Sequence, residues 1–241
     1  MTNRDKQGIR LNRFIAMCGI CSRRKADVLI QQGLIKINNE IITNLGQRVF
    51  CNDQVFFQGS KISPEQHKYL LLNKPKGYIT TTKDERGRLT VMNLIKGAAK
   101  EKLIPVGRLD KDTTGLLLFT NDGFLAKKLT HPKHKINKTY HVILDKALNK
   151  TTLLKIKKGL SLEDGFVQVD DINYINNNKK RIQLKIHIGK NRIVRRLFSF
   201  LGYQVLELDR PEYSCLNNHN LSLGEWRFLT LSELKILKPD N

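Results

Sequence analysis

The sequence lacks any apolar run of the roughly 18–20 residues that a membrane-spanning helix requires. Its first residues, MTNRDKQGIR, also lack the apolar stretch of a secretory signal peptide. We therefore expect a cytoplasmic protein that does not associate with a membrane.

Cysteine is scarce, with only Cys18, Cys21, Cys51 and Cys215 at irregular spacing. This usage favours free thiols in a reducing compartment over a disulfide framework. Cys18 and Cys21 have the C-x-x-C spacing of zinc and redox sites, but no second C-x-x-C or H-x-x-x-H accompanies them. We therefore expect no metal and interpret the two cysteines as small apolar residues between helices.

Acidic residues are too few to balance the basic ones: 22 Asp and Glu stand against 43 Lys and Arg, a net charge of +21. Such an excess repels itself unless a polyanion lies nearby, so nucleic acid is the first partner to consider. The sequence also lacks a P-loop and a G-x-G-x-x-G run, so no nucleotide cofactor is expected.

The polar stretch GSKISPEQHK, residues 59–68, separates two apolar patterns. The first pattern predicts two short helices within residues 10–33, the second of them capped by Ser22 and ended by Gly33, followed by short strands. We therefore predict an N-terminal domain over 8–60, a linker over 61–68 and a second domain over 69–238.

The pattern of the second domain predicts many short strands with a few helices between them. Few of its strand–helix–strand units have the length that a connection between parallel strands requires. The expected class is α+β on a mixed, mostly antiparallel sheet. The predicted helices are 90–96, 123–130, 151–158, 191–201 and 231–237, and the predicted strands are 69–73, 116–120, 140–144, 181–188, 204–208 and 226–229.

The run GRLDKDTTGLLLFTND, residues 107–122, places Asp110 and Asp112 just before an apolar strand. A calcium loop beginning at Asp110 would need Glu at its twelfth position, which is Asn121, so calcium is excluded. Asp112 fits the role of a turn former. Asp110, next to a cation at the mouth of a strand, fits a catalytic carboxylate acting as nucleophile or base.

This run resembles the signature of the bacterial rRNA pseudouridine synthases of the RsuA/RluB type. Four further stretches agree with that family in order: LNKPKGYITT, KTYHV, GKNRIVRRLF and GEWRFLT. The N-terminal segment resembles the S-four-type RNA-binding module that these enzymes carry, so the resemblance covers nearly the whole chain. One departure is that Lys190 and Ile193 stand where the family often has Arg and Gln.

The resemblance implies that a uridine within RNA is isomerised to pseudouridine without metal, redox step or cofactor. Asp110 would be the nucleophile, attacking the ribose or the base. Tyr140 would stack on the extruded uracil and help to move the proton from carbon 5, Arg195 would be the cation beside Asp110, and Ile193 or Val194 would wall the pocket.

The remaining site residues are expected to contact RNA, with Arg108 filling the gap that the target base leaves. A helix over 191–201 would bury Ile193, Leu197, Phe200 and Leu201 and gather three arginines on one face. The expected RNA-binding residues are Arg10, Arg13, Arg23, Arg24, Lys25, Lys74, Lys76, Arg108, Arg192 and Arg196.

The expected partner is ribosomal RNA, 23S in preference to 16S, bound by a monomer. Two alternatives stay open: 16S rRNA as the substrate, and a non-catalytic rRNA-binding or ribosome-assembly protein of the same architecture. Asp110, Tyr140 and Arg195 together favour the enzyme, because a binding protein needs none of them.

Overall fold

The computed structural model describes residues 8–239. Contacts divide the chain between His67 and Lys68 into two compact units. Within residues 8–239 there is no helix with the length and apolar character required to cross a membrane.

The N-terminal unit packs two helices against short strands around a core that includes Leu11, Ile15 and Ile30. The Ser22 hydroxyl accepts a hydrogen bond from the Lys25 backbone N–H at 3.3 Å, and Gly33 follows the helix end with φ +68°, as predicted. Its elements are β1 (Ile9–Arg10), α1 (Leu11–Met17), α2 (Arg23–Gln31), β2 (Ile35–Ile37), β3 (Glu40–Ile41), β4 (Arg48–Val49), β5 (Val55–Phe57) and β6 (Ser60–Ile62).

The end of this unit differs from the predicted boundary at residue 60. Strand β6 pairs antiparallel with β5, with Lys61 opposite Phe56 and Ile62 opposite Val55. The first two residues of the predicted linker 61–68 therefore belong to a sheet, because their backbone groups find partners there.

The C-terminal unit has one large sheet with helices packed on it. Its helices are α3 (Val91–Leu94), α4 (Gly123–Thr130), α5 (Lys150–Lys158), α6 (Ile193–Phe200) and α7 (Leu231–Leu237). Its strands are β7 (Tyr69–Lys74), β8 (Ile104–Pro105), β9 (Thr114–Thr120), β10 (Lys138–Leu144), β11 (Leu160–Leu162), β12 (Gly165–Val167), β13 (Asp171–Ile175), β14 (Asn178–Ile186), β15 (Val205–Tyr213), β16 (Leu216–Asn217) and β17 (Trp226–Phe228).

The main sheet has the strand order β13-β14-β10-β15-β9-β7-β17, with β16 on β15 and β8 on β9. The pairing of β15 with β9 is parallel, and the other pairings along this order are antiparallel. The predicted α+β class with a mixed, mostly antiparallel sheet is confirmed.

Strand β9 is buried on both faces, which explains its unbroken apolar run. Leu116 and Leu118 belong to one core cluster, while Leu117 and Phe119 belong to a cluster on the other face. A strand covered on both sides needs apolar residues at every position instead of at alternate ones.

One buried helix face differs from its prediction. Helix α6 buries Ile193, Val194, Leu197 and Phe198, while Phe200 is 61% exposed. Its buried stripe follows i, i+1, i+4 and i+5, and Phe200 lies outside that stripe.

Candidate active site

The loop that carries Asp110 joins β8 to β9 and is fixed by backbone contacts on both sides of the aspartate. The Thr80 hydroxyl donates to the Leu109 carbonyl at 2.6 Å and accepts from the Leu109 N–H at 3.1 Å. The Gly77 N–H donates to the Lys111 carbonyl at 2.8 Å. The segment after β7 therefore holds the loop in one conformation, and this explains why the LNKPKGYITT and GRLDKDTTG runs accompany each other.

Lys74 completes this support and is not available to RNA. Its side chain is fully buried, and its ammonium donates to the carbonyls of Thr113 at 2.8 Å and Pro75 at 3.0 Å. Burial lowers the pKa of Lys74 to about 8, against the attraction of Asp112 and Asp110. The prediction that Lys74 contacts phosphate is wrong, because its ammonium serves the backbone beneath the aspartate loop. Lys76 is exposed.

The two central strands come unusually close beside this loop. Gly115 has φ +106°, and a Cβ there would collide with the backbone of Arg210 on β15. Only glycine permits this approach, which places β15 directly beside the loop of Asp110.

A cavity of about 420 Å³ opens at this point and is lined by four segments of the C-terminal unit. Those segments are residues 106–113, 138–140, 188–194 and 208–213, together with the end of α4. Six of the predicted site residues line it: Arg108, Asp110, Tyr140, Arg192, Ile193 and Val194. Within residues 8–239 the Tyr140 hydroxyl has no hydrogen-bond partner, so it is available to a ligand.

The arginine beside Asp110 is not the one that was predicted. Arg192 Nη1 lies 3.3 Å from Asp110 Oδ2 and 3.8 Å from Asp112 Oδ1. Arg195 Nη2 instead lies 3.1 Å from Asp112 Oδ2, and its guanidinium also donates to the Val205 carbonyl at 3.0 Å. The expected ion pair between Arg195 and Asp110 is therefore absent from this structure.

The physical reason lies at the start of α6. Arg192 adopts the left-handed conformation, φ 46° and ψ 33°, and precedes the helix instead of joining its basic face. The direction of its side chain is consequently not set by the helical repeat, and the side chain lies over the carboxylates of Asp110 and Asp112. Arg196 pairs with Asp164 at 2.7 Å, so this guanidinium is already engaged by a carboxylate.

The cavity residues that were not identified from the sequence as site residues include four with polar side chains, Thr113, Lys138, Arg210 and Tyr213. Arg210 and Tyr213 follow the predicted strand 204–208, which continues as β15 to Tyr213. Lys138 begins the KTYHV run. A charged residue at the end of an apolar strand was the available signal, but a sequence does not show on which side of a sheet its side chain is buried.

The other predicted residues belong to the N-terminal unit. Arg10, Arg23, Arg24 and Lys25 are exposed, and Arg13 is half-buried. Burial, with a smaller effect of Glu65, raises the pKa of the Cys18 thiol to about 12, so it stays protonated at neutral pH. No cluster of three or more His, Cys, Asp or Glu side chains suited to a metal occurs among the described residues.

Comparison with known proteins agrees with this architecture. Residues 68–200 match the family model of RNA pseudouridylate synthase, and residues 9–55 match that of the S4 domain. The chain is 42% identical to the "Ribosomal large subunit pseudouridine synthase B" of Bacillus subtilis (strain 168), covering 95% of both chains. It is 38% identical to an RNA pseudouridine synthase of Aquifex aeolicus (strain VF5), covering 94% of this chain and 92% of that one.

Solved structures include a relative of nearly the same extent. A crystal structure of a pseudouridylate synthase superposes with a TM-score of 0.68 at 31% identity, covering 95% of this chain and 99% of the other. The resemblance that the sequence motifs indicated is confirmed.

Proposed function

This chain belongs to the RNA pseudouridylate synthase family, and from that premise we propose that it isomerises a uridine of large-subunit ribosomal RNA to pseudouridine with Asp110 as the nucleophile. The choice of RNA rests on the Bacillus subtilis relative, whose name assigns it to the large ribosomal subunit.

The observation that carries the catalytic assignment is the position of Asp110. It is the aspartate that lines the cavity, it lies on a loop held by backbone contacts, and a guanidinium stands 3.3 Å away. An ionised carboxylate fixed at the edge of a pocket is suited to covalent attack on the nucleoside. Arg192 provides the neighbouring positive charge in place of Arg195.

Tyr140 and the hydrophobic residues give the pocket the walls that a uracil ring needs. Tyr140 on β10 lines the cavity together with Ile193 and Val194 at the start of α6. A ring between an aromatic and two aliphatic side chains is held by stacking and packing, while the Tyr140 hydroxyl remains able to move the proton from carbon 5.

The uridine must leave its stack to reach Asp110, which costs a few kcal/mol and least in a loop of the RNA. Arg108 is exposed at the cavity edge and also lines the neighbouring basic depression formed around Thr80, Lys83 and Lys111. It is therefore placed to fill the gap that the base leaves. The exposed cations of the S4 domain and Lys76 are suited to phosphates of the same RNA.

The test is to incubate the protein with 23S and 16S transcripts carrying tritium at carbon 5 of uridine, and to count released tritium. Release from 23S that the Asp110→Asn variant does not show supports both the chemistry and the substrate. Asp112→Asn is the matched control, because Asp112 is also a carboxylate near Arg192 but does not line the cavity, and we expect it to retain most of the activity.

Release from the 16S transcript alone would contradict the assignment to the large subunit. Tight, salt-sensitive binding without release from transcripts or from assembled precursor particles would favour the non-catalytic alternative.

A further inference from the structure

Arg210 is a buried cation on the cavity wall without a neutralising carboxylate. Its side chain is 3% exposed, and its Nε and Nη2 donate to the Leu116 carbonyl at 3.0 and 2.6 Å. The guanidinium carbon lies 4.9 Å from the centre of the Tyr213 ring. No carboxylate within residues 8–239 comes within 4 Å of it, and its other N–H groups have no described partner. An unpaired buried charge is costly, so a function that uses it is expected.

Lys138 is a second cation on the wall of the same cavity, and it is half-buried. Its ammonium donates to the carbonyls of His187 at 2.9 Å and Ile136 at 3.0 Å. Its third N–H has no partner in the described part of the chain, and no described carboxylate lies within 4 Å. Burial, followed by repulsion from Arg210, lowers the pKa of Lys138 to about 8, against the attraction of Asp170.

Thr113 adds an unused hydroxyl to these two charges. The residue is 2% exposed and lines the cavity, and its Oγ1 is buried without a hydrogen-bond partner. Buried hydroxyls in native proteins are nearly always paired, so an unpaired one in a residue that lines a cavity points to a ligand atom as its partner. Two cations and one hydroxyl together call for a ligand with negative charge and oxygen acceptors.

We propose that Lys138, Arg210 and Thr113 form a site for the detached uracil, in which they hold its carbonyl oxygens and stabilise its negative charge. This inference rests on the function proposed above. None of the three residues is the nucleophile, a role that is assigned to Asp110.

The charge arises as follows when Asp110 attacks the ribose. A carboxylate oxygen of Asp110 bonds to C1′ while the C1′–N1 bond breaks, and the electron pair of that bond leaves with the uracil as a monoanion shared among N1, O2 and O4. After the ring turns, C5 bonds to C1′ and the carboxylate departs with its electron pair. C5 then loses its proton and N1 gains one, so atoms and charge balance. Preorganised donors around the anion lower both barriers.

The depth of the three groups favours the base over a phosphate. Arg210 and Thr113 are almost completely buried, whereas phosphates stay on the surface of the RNA and meet exposed cations such as Arg108. A flipped base is the part of the nucleotide that enters a pocket.

The main test compares the Thr113→Val and Lys138→Met variants with the wild type in single-turnover reactions at saturating enzyme. We expect the rate to fall about tenfold for Thr113→Val and about a hundredfold for Lys138→Met, the scale of losing one donor to a developing anion. There are two matched controls. Lys185→Met on β14 removes an exposed charge. Thr120→Val removes a buried hydroxyl that already donates to the Lys68 carbonyl at 2.7 Å. Both should keep the wild-type rate.

Thr113→Val also keeps the test independent of folding. Because its hydroxyl has no protein partner, the urea midpoint of this variant should equal that of the wild type or exceed it, whereas that of Thr120→Val should fall. An unchanged single-turnover rate for both Thr113→Val and Lys138→Met, in a protein whose wild type is active, would overturn the inference while leaving the proposed function in place. If the wild type is inactive with every RNA, the proposed function itself is contradicted.

A second measurement separates uracil from phosphate. An RNA with an abasic target keeps every phosphate, so Lys138→Met should bind it as tightly as the wild type does; weaker binding of the abasic RNA would assign Lys138 to a phosphate instead. With 5-fluorouridine at the target, the more acidic base needs less stabilisation, so the rate defect of Lys138→Met should shrink, as read from loss of 5-fluorouridine in nuclease digests. An equal defect with both bases contradicts the charge assignment.

Discussion

At the scale of single residues, the groups that position Asp110 do not touch its carboxylate. Thr80, Gly77 and Lys74 all bind backbone atoms of the loop 107–113. Among residues 8–239 the carboxylate itself pairs only with the half-exposed guanidinium of Arg192. These contacts fix the backbone of the loop, while the carboxylate of Asp110 remains accessible at the pocket edge.

Lys74→Met should therefore slow catalysis without weakening RNA binding. Loss of the ammonium leaves the carbonyls of Thr113 and Pro75 unpaired and loosens the Asp110 loop, and displacing a reacting group by about 1 Å can cost about a hundredfold in rate. Single-turnover rates and filter binding measure the two effects. The control is Lys76→Met, an exposed lysine two residues on, which we expect to leave the single-turnover rate alone; a Lys74 variant with normal rate and reduced affinity would restore the phosphate assignment.

The two arginines near the carboxylates should respond differently to substitution. Arg195 is 13% exposed in its side chain and ties α6 to the Val205 carbonyl and to Asp112, so Arg195→Gln should lower the free energy of unfolding by about 1–3 kcal/mol. Arg192 is 45% exposed, and Arg192→Gln should leave stability unchanged while reducing the single-turnover rate. Urea unfolding measures the stability and tritium release measures the rate. A stable Arg195 variant with a reduced rate, beside a destabilised Arg192 variant with a normal rate, would support Arg195 as the partner of Asp110.

The sequence predicted which residues surround the cavity better than it predicted their contacts. The resemblance to the family placed Asp110 and Tyr140 in the site and Arg192 nearer the RNA phosphates, and all three line the cavity. Lys74 was misjudged because a lysine in a Gly- and Thr-rich segment is expected to be exposed, whereas its burial depends on the distant strand β9 that pairs with β7 in the same sheet. The pairing of Arg192 depends on one left-handed residue, for which arginine carries no signal.

At the scale of elements, capping residues and apolar periodicity located the helices, while the edge of the large sheet was less visible. Ser22 marks a helix start that the structure confirms, and the predicted helix 231–237 coincides with α7, which Thr230 caps. Strand β13 and the hairpin β11–β12 were not predicted, because Asp, Asn and Gly in these short strands read as turn residues. The pairing of β13 is supplied by β14, whose position a local pattern does not show, whereas β11 and β12 pair with each other in a separate two-stranded sheet.

The edge strand β17 is tied to α7 by Glu233, which gives an acid-sensitive contact. Glu233 accepts two hydrogen bonds from Arg227 at 2.7 and 2.8 Å and one from the Thr230 N–H at 2.8 Å. Foremost the hydrogen bonds from Arg227, together with those from Thr230, lower the pKa of Glu233 to about 2.

Because the folded state holds the proton less tightly than the unfolded state, this contribution is complete above the ordinary glutamate pKa of 4.5 and disappears as the pH falls to about 2. Glu233→Gln should therefore lower the free energy of unfolding by about 1 kcal/mol at pH 7 and by less as the pH falls below 4.5. Urea titrations at pH 7 and pH 3 measure this difference. Glu207→Gln, an exposed glutamate on β15, serves as the control, and a Glu233 difference independent of pH would contradict the linkage.

At the scale of the whole molecule, the charge of +21 is shared by both units, with +6 in residues 1–64. The binding of rRNA should therefore depend steeply on salt, since each phosphate contact adds about 0.7–0.9 to the slope of log affinity against log salt concentration. Changing Arg23, Arg24 and Lys25 to Gln together should reduce that slope by about 2–3.

The comparison variant replaces Lys155, Lys157 and Lys158 with Gln, which removes the same charge from the last turn of α5, where cations already suit the helix dipole. Filter binding at salt concentrations between about 50 and 200 mM measures the slope for each variant. Equal slopes for both variants would show that net charge alone, and not the S4-domain surface, governs binding.

The parallel pairing of β9 with β15 also sets the order in which the molecule can be completed during synthesis. Thr114 pairs with Asp209 and Gly115 with Arg210, so the strand after Asp110 waits for a partner far along the chain. Such non-local pairings form late because the entropy cost of closing a long loop precedes the stabilising contacts. A nascent chain that has emerged only as far as α6 carries Asp110 but lacks the cavity wall that β15 provides, so we expect the cavity to be complete only after β15 has left the ribosome.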